Sequence, residues 1–308
     1  MPRPFRFGLA VSAAVSATDW RSTARRAEEL GYAVLLVSDH IGNQVGPIAA
    51  LQAAADATTT LRIGSYVFDN DHRHPVLLAQ EAATLDLLSQ GRFELGIGAG
   101  HMKREYDAIG VSFDAGATRV DRLAEAVRII RAMLSGERVA LRGRHYRVEE
   151  VPEMPRPLQR PDLPILLGGG GRELLSMAAR EAEIVSVVPR TRVDGTGLDP
   201  DDFGSARFEE KISWVREAAR ERLTKIELNT LIQSVIVSES RTGAEQLARE
   251  WDVTPERILD SPYALVGTVP QIEERLLEMR ESYGVSYVSV FEDELEEFAP
   301  VVARLAQS

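Results

Sequence analysis

Short apolar runs alternate with amphipathic stretches along the chain, about eight times over, and this pattern predicts parallel strands joined by crossover helices. Phe5 to Val11 reads as the first strand. The helix after it should be capped by Thr18 or Asp19, bury Trp20, Ala24, Ala27 and Leu30 at helical spacing, and end at Gly31. Ala33 to Ser38 is apolar throughout, as expected of a strand buried on both faces. Leu61 to Val67 and Arg92 to Gly98 predict the third and fourth strands, with a helix from Val76 to Leu88 between them. A longer helix over Arg119 to Leu134 places Val120, Leu123, Val127, Ile130 and Leu134 on one face, and Gly136 stops it. Val139 to Val151 reads as a hairpin, followed by a proline-rich linker from Pro152 to Pro164. Pro164 to Gly168, Ile184 to Val188, a segment within Ile226 to Val237, and Val285 to Val290 complete the strands. A last helix, Leu295 to Leu305, should pack on the exterior or close the bottom.

The rival architecture, a doubly wound open sheet, would need a glycine-rich turn after the first strand, and Ser12 to Ala17 contains no glycine. The expected fold is therefore α/β, a single (β/α)₈ TIM barrel over residues 1–308 with insertion segments at its C-terminal face. The stretch Thr191 to Gly204, with Gly195, Gly197 and Pro200, reads as an insertion after the sixth strand that could serve as a lid.

Composition narrows the function. With 36 Lys plus Arg against 47 Asp plus Glu, a formal charge of −11 disfavours nonspecific binding to nucleic acid or anionic membrane. The absence of cysteine excludes disulfides, thiolate metal sites and a cysteine nucleophile. No apolar stretch suits a signal peptide or a membrane helix, so a soluble, cytoplasmic protein with a small-molecule partner is expected.

Active sites of such barrels sit at the C-terminal ends of the strands, and unusual residues collect there. Asp39-His40 follows the second strand, Tyr66-Val67 closes the third, Gly98-Ala99-Gly100-His101 follows the fourth, and Gly168 to Gly171 follows the fifth. A histidine can hold or give a proton at physiological pH, and a carboxylate can orient it. The glycine run ahead of a helix starting near Arg172 offers backbone N–H groups to a phosphate, with Val188-Pro189 nearby. His72 and His74 could suggest a metal by spacing, but no third ligand is evident; they read as substrate-side or surface residues. Phe68, Tyr106 and Phe113 would suit a bulky organic substrate.

Taken in order, the segments VSDHI, IGSYV, HPVLLAQEAATLDLLSQGRFELGIGAGHMKREYDAIGVSF, LPILLGGGGRELLSMAAREAEIVSVV and ALVGTVPQIEERL resemble the luciferase-like flavin and deazaflavin oxidoreductases over nearly the whole chain. The resemblance leans to the branch that uses the deazaflavin coenzyme F420, with FMN and dioxygen as the alternative. It implies that His40 carries the proton beside the cofactor ring and that Asp39 contacts the ring or the histidine. It also implies a cis Tyr66-Val67 bond under the ring, with Gly98, Ala99, Gly100 and His101 along its edge. The coenzyme phosphate is expected at Gly169, Gly170, Gly171, Arg172 and Val188. His101 stands where related alcohol-oxidising enzymes can carry an acid, which favours hydride transfer from reduced F420 to an unsaturated natural product, ketone or modified peptide. A homodimer is also implied. A cofactor-free barrel serving as a structural partner is the reading from another class, disfavoured by the intact Asp39-His40 pair.

Overall fold

The structure is a computed structural model that describes residues 3–11, 16–151, 154–239 and 242–306. Residues 12–15 and Pro152 lie outside them. In chain order, strand β1 (Arg6–Val11) leads through helix α1 (Ala17–Glu29) to β2 (Val34–Val37), and α2 (Pro47–Ala57) leads to β3 (Arg62–Ser65). The short β4 (Phe68–Asp69) follows, then α3 (Pro75–Leu88) and β5 (Phe93–Gly98). Helices α4 (Lys103–Ile109) and α5 (Gly116–Ser135) precede an antiparallel hairpin of β6 (Leu141–Arg142) and β7 (Arg147–Val148). The second half runs β8 (Ile165–Gly169), α6 (Arg172–Glu181), β9 (Ile184–Val187), α7 (Ser205–Ala219) and β10 (Glu227–Leu231). It ends with β11 (Ser234–Val237), α8 (Thr242–Trp251), α9 (Pro255–Asp260), β12 (Ala264–Gly267), α10 (Val269–Tyr283), β13 (Val285–Phe291) and α11 (Ala299–Leu305).

Every pairing in the main sheet is parallel, and the ring β1-β2-β3-β5-β8-β9-β10-β13 closes where β13 pairs with β1. The expected barrel is present. Its interior is filled by Ala10, Val34, Leu36, Leu166, Ile184, Leu231 and Tyr287, and the larger apolar layer lies between strands and helices. Gly8 has no room for a side chain, since a Cβ would meet Ser289, Tyr287 and Leu36 within about 3 Å. The last helix packs on the exterior, where Phe298 meets Phe7 edge-on at 5.5 Å.

Three expectations are corrected. The cap of α1 is Ser16, whose side chain accepts from the Asp19 backbone N–H, because only Ser16 has extended backbone just ahead of the helix. The region Ile226 to Val237 holds two strands: β10 joins the barrel, while β11 leaves it and pairs with β12 in a separate ribbon. The third strand breaks after Ser65, and β4 resumes the pairing with β5 at Phe68. Among the described residues, no helix is long and apolar enough to cross a membrane.

Candidate active site at the C-terminal strand ends

His40 leaves the end of β2 and meets a carboxylate that the sequence did not single out. Its Nδ1 lies 3.0 Å from Oε1 and 3.3 Å from Oε2 of Glu105, a buried residue on α4. With Nδ1–H donated to the carboxylate, Nε2 is the ring nitrogen left to exchange a proton. No described residue bonds Nε2, and about a third of the side chain is exposed. His101 packs edge-on against His40, with ring centroids 5.3 Å apart. Burial, and then the neighbouring charges of His40, Arg119 and Arg104, pull its pKa down to about 4, so His101 is neutral at physiological pH.

Asp39 does not orient His40. Its Oδ1 accepts from Arg73 Nη2 at 3.0 Å, Oδ2 accepts from Arg73 Nη1, and Oδ2 also takes the Asp69 backbone N–H at 3.1 Å. Through these bonds the Asp39 carboxylate ties the ends of β2 and β4 together. Below it, the Tyr106 hydroxyl lies 3.1 Å from both Asp69 Oδ1 and Asp71 Oδ2, and Arg122 pairs with Asp71 at 2.7 Å. Burial and then the two aspartates push the Tyr106 hydroxyl far above the usual phenol range, so it remains a donor. This clamp fixes α4, the helix that also presents Glu105.

The aromatic expectations change accordingly. Phe68 and Tyr106 are fully buried and form part of the packing, with Phe113 edge-on to Tyr106 at 5.0 Å. His72 is no surface residue: its side chain is buried beside Tyr106, with Nε2 3.6 Å from Asp69. His74 caps α3 by accepting from the Val76 N–H. Among the described residues, no cluster of three metal-ligating side chains occurs.

The Tyr66-Val67 peptide is cis, as expected. The Tyr66 hydroxyl reaches across the barrel to Ser186 at 2.5 Å and Asn229 Oδ1 at 3.1 Å. Gly98 lies so close to Val67 that a Cβ would come within 2.6 Å of its methyl group, and Gly100, at φ +74°, leaves room for the Tyr106 hydroxyl and Asp69. Arg119 secures this loop from behind, donating to the Ala99 and Gly100 carbonyls at 3.1 and 3.4 Å.

The glycine run serves the protein itself at three of its four positions. A Cβ at Gly168 would meet Ser186, one at Gly169 would meet Leu174, and one at Gly170 would lie 2.5 Å from the Arg190 backbone nitrogen. Only Gly171 opens onto free space. It caps α6 without a side-chain acceptor, so the first-turn N–H groups point outward. The Arg172 side chain is mostly exposed and turns away to Glu217 at 3.2 Å. Val188 offers its carbonyl to the buried Lys211 ammonium at 2.9 Å. Thus Asp39, His40, Tyr66, Val67, Gly98 to His101 and Gly171 sit at the strand ends, whereas Arg172 points outward. Sequence reasoning missed Glu105, Arg73, Arg119 and Tyr106's role. The sequence carries no signal for Glu105, because its partner His40 lies 65 residues away in the chain.

Known proteins resemble this chain in sequence and in fold. An F420-dependent glucose-6-phosphate dehydrogenase from Microbacterium testaceum (strain StLB037) is 32% identical over 192 residues, covering 59% of this chain and 56% of that protein. The chain spans about half the length of the curated relatives it matches. The fold matches a coenzyme F420 dependent tetrahydromethanopterin reductase from Methanopyrus kandleri with a TM-score of 0.77 at 20% identity, covering 98% of this chain and 100% of that one. It also matches a long-chain alkane monooxygenase with a TM-score of 0.79 at 14% identity, over 100% and 92% of the two chains. The profile of the family described as luciferase-like monooxygenase matches residues 3–250, and the chain belongs to that family.

Proposed function

We propose that this chain is an oxidoreductase working with coenzyme F420, as a reductase that passes a hydride from the reduced coenzyme to an unsaturated organic substrate. The observation that carries the reading is the His40–Glu105 pair at the strand ends, with Nε2 left without a partner among the described residues. The F420-dependent relatives support the choice of coenzyme. The site fits such a group on its own geometry. The α6 N-terminus, with no side-chain cap and open space in front of Gly171, suits a phosphate. Backbone N–H groups, rather than Arg172, would hold the phosphate.

When bound, the reduced coenzyme supplies the hydride. The chain's own residues then manage the proton. Protonated His40 gives its Nε2 proton to the substrate atom that gains electron density, while Nδ1–H stays on Glu105, whose charge holds the ring in place. Neutral His101 covers one side without adding a competing positive charge. Because Glu105 supplies a buried acid to His40, the lack of an acid at position 101 no longer bears on direction, and oxidation of reduced F420 by an unsaturated acceptor is the readout for the reductive reading.

Titration of the purified protein with F420 and, separately, with FMN tests the proposal. Selective binding of F420 is expected, followed by oxidation of its reduced form by unsaturated acceptors. Selective FMN binding would hand the site to oxygen chemistry instead. We also infer a homodimer through α3. Leu77 and Leu88 of α3 are more than half exposed and lie on one helix. Sedimentation at micromolar concentration should give twice the 34.0 kDa chain mass.

A further inference from the structure

The insertion after β9 joins the histidine site to a cleft on its other side. At its tip Gly195 holds φ +72°, and a Cβ there would lie 2.9 Å from the Lys103 nitrogen and 3.0 Å from the His101 carbonyl. The tip therefore rests on the segment that carries His101. Its base is a bridge between Thr191 and Leu198, backed by donation from Arg192 N–H to the Gly197 carbonyl at 2.8 Å. Behind the base the chain is anchored by Asp202, which is buried, pairs with the buried Lys211 and accepts the Arg190 N–H at 2.6 Å.

Between this base and the α8–α9 segment lies a cleft of about 380 Å³, within the ~300–1,000 Å³ typical of small-molecule sites. Its walls are apolar: Leu198, Phe203 and Pro200 face Trp251, Val253 and Ile258, and Phe203 meets Trp251 edge-on at 4.8 Å. Gln233, just past the end of β10, lies at the barrel side. Two guanidinium groups line it in a chain of formal charge −11. Arg257 donates to the Pro200 carbonyl at 3.3 Å and lies 3.6 Å from the exposed Asp201. Arg192 makes no side-chain hydrogen bond or ion pair among the described residues and is exposed. Asp252 also lines the cleft and Asp201 offsets Arg257, which leaves Arg192 as the guanidinium without an ion pair among the described residues. That balance suits a singly charged carboxylate better than a doubly charged phosphate.

We propose that this cleft receives the distal arm of the substrate, an apolar chain or ring ending in a carboxylate, while the reacting end lies under the insertion tip beside His40. Only the word substrate rests on the function proposed above; the affinity for an amphipathic acid does not. The insertion is then a partition with the chemistry at its tip and the recognition of size and charge at its base.

The test titrates the full-length protein with octanoate and, as the uncharged counterpart, octanol, following tryptophan fluorescence; Trp251→Phe identifies the signal from the cleft. Octanoate should bind about tenfold tighter than octanol, the worth of one charge-assisted contact. The double variant Arg192→Ala/Arg257→Ala should lose that discrimination, and Arg192→Gln alone, at an exposed position, should reduce it should the double variant fold poorly. F420 affinity should stay unchanged in both variants. Equal binding of octanol, no saturable octanoate binding, or octanoate binding that ignores both arginines would overturn the proposal. So would a fall in F420 affinity, which would assign the arginines to the coenzyme. Octanoate discrimination in a protein that binds no F420 would remove the redox function and leave the cleft standing.

Discussion

The two ends of the barrel carry buried charge in opposite ways. At the N-terminal end, Arg6 of β1 reaches Glu94 of β5 at 2.6 Å and Glu227 of β10 at 2.7 Å, and Arg62 of β3 joins Glu94 at 2.6 Å. Arg6 also lies over the Tyr287 ring at 4.1 Å. Burial opposes the charge on Glu94, but Arg6 and Arg62 hold its carboxyl below the usual range. Two cations and two anions from four strands satisfy one another across the barrel floor, so this network closes the fold. At the C-terminal end, Glu105 holds one nitrogen of His40 and leaves the other exposed to the site. A closed network stabilises, whereas an incomplete one can exchange a proton with something outside the protein.

The largest expected effect sharpens that contrast at the open end. His40→Ala should lower the rate of reduced F420 oxidation by about 10²- to 10⁴-fold, the usual worth of a positioned proton carrier, and should also cost about 1–3 kcal/mol of stability because the buried Glu105 carboxylate loses its partner. Stopped-flow single turnovers with an acceptor found by screening would read it. A smaller effect is expected one layer down: Tyr106→Phe leaves Asp69 and Asp71 without their shared donor and should cost about 1–3 kcal/mol in urea unfolding. Because the same clamp fixes the helix of Glu105, the variant should also slow turnover and leave F420 affinity intact. A loss of stability with full turnover would show that the clamp acts on the fold alone.

The effect that builds most gradually is one of pH. His101 titrates near 4 when folded against 6.5 when free, so below pH 6.5 the unfolded chain binds a proton that the folded chain refuses. Stability should therefore fall from pH 6.5 to about 4, by up to about 1.4 kcal/mol per pH unit, and show no contribution from His101 above that window. Comparing unfolding of the wild type and His101→Gln across this range isolates the contribution; identical pH profiles would mean that His101 is not buried as described.

What the sequence made legible follows the same division. Barrel strands are continuous apolar runs, so seven could be placed from periodicity alone, and the eighth was only blurred because β10 and the outlying β11 lie three residues apart. His40 could be picked out because a polar pair at the end of an apolar run stands out. Glu105 could not, because the run Lys103-Arg104-Glu105 looks like a solvated helix start until the fold turns one of its faces inward. The glycine run was read as space for a ligand, whereas Ser186, Leu174 and Arg190 fill most of that space. A missing side chain says that something approaches closely, and the sequence does not say whether it is a cofactor or the next strand.

The central claim, that one buried glutamate closes the fold while the other serves the chemistry, is tested most directly by making the same change at both. Glu94→Gln and Glu105→Gln are each to be measured for unfolding free energy in urea and for turnover with reduced F420. Glu94→Gln should lose about 3–5 kcal/mol of stability as Arg6 and Arg62 lose their shared anion. Glu105→Gln should stay within about 1 kcal/mol of the wild type and lose about tenfold in turnover, as a charge-assisted bond becomes a neutral one. The reverse pattern, or equal losses of stability with turnover preserved at position 105, would contradict the account.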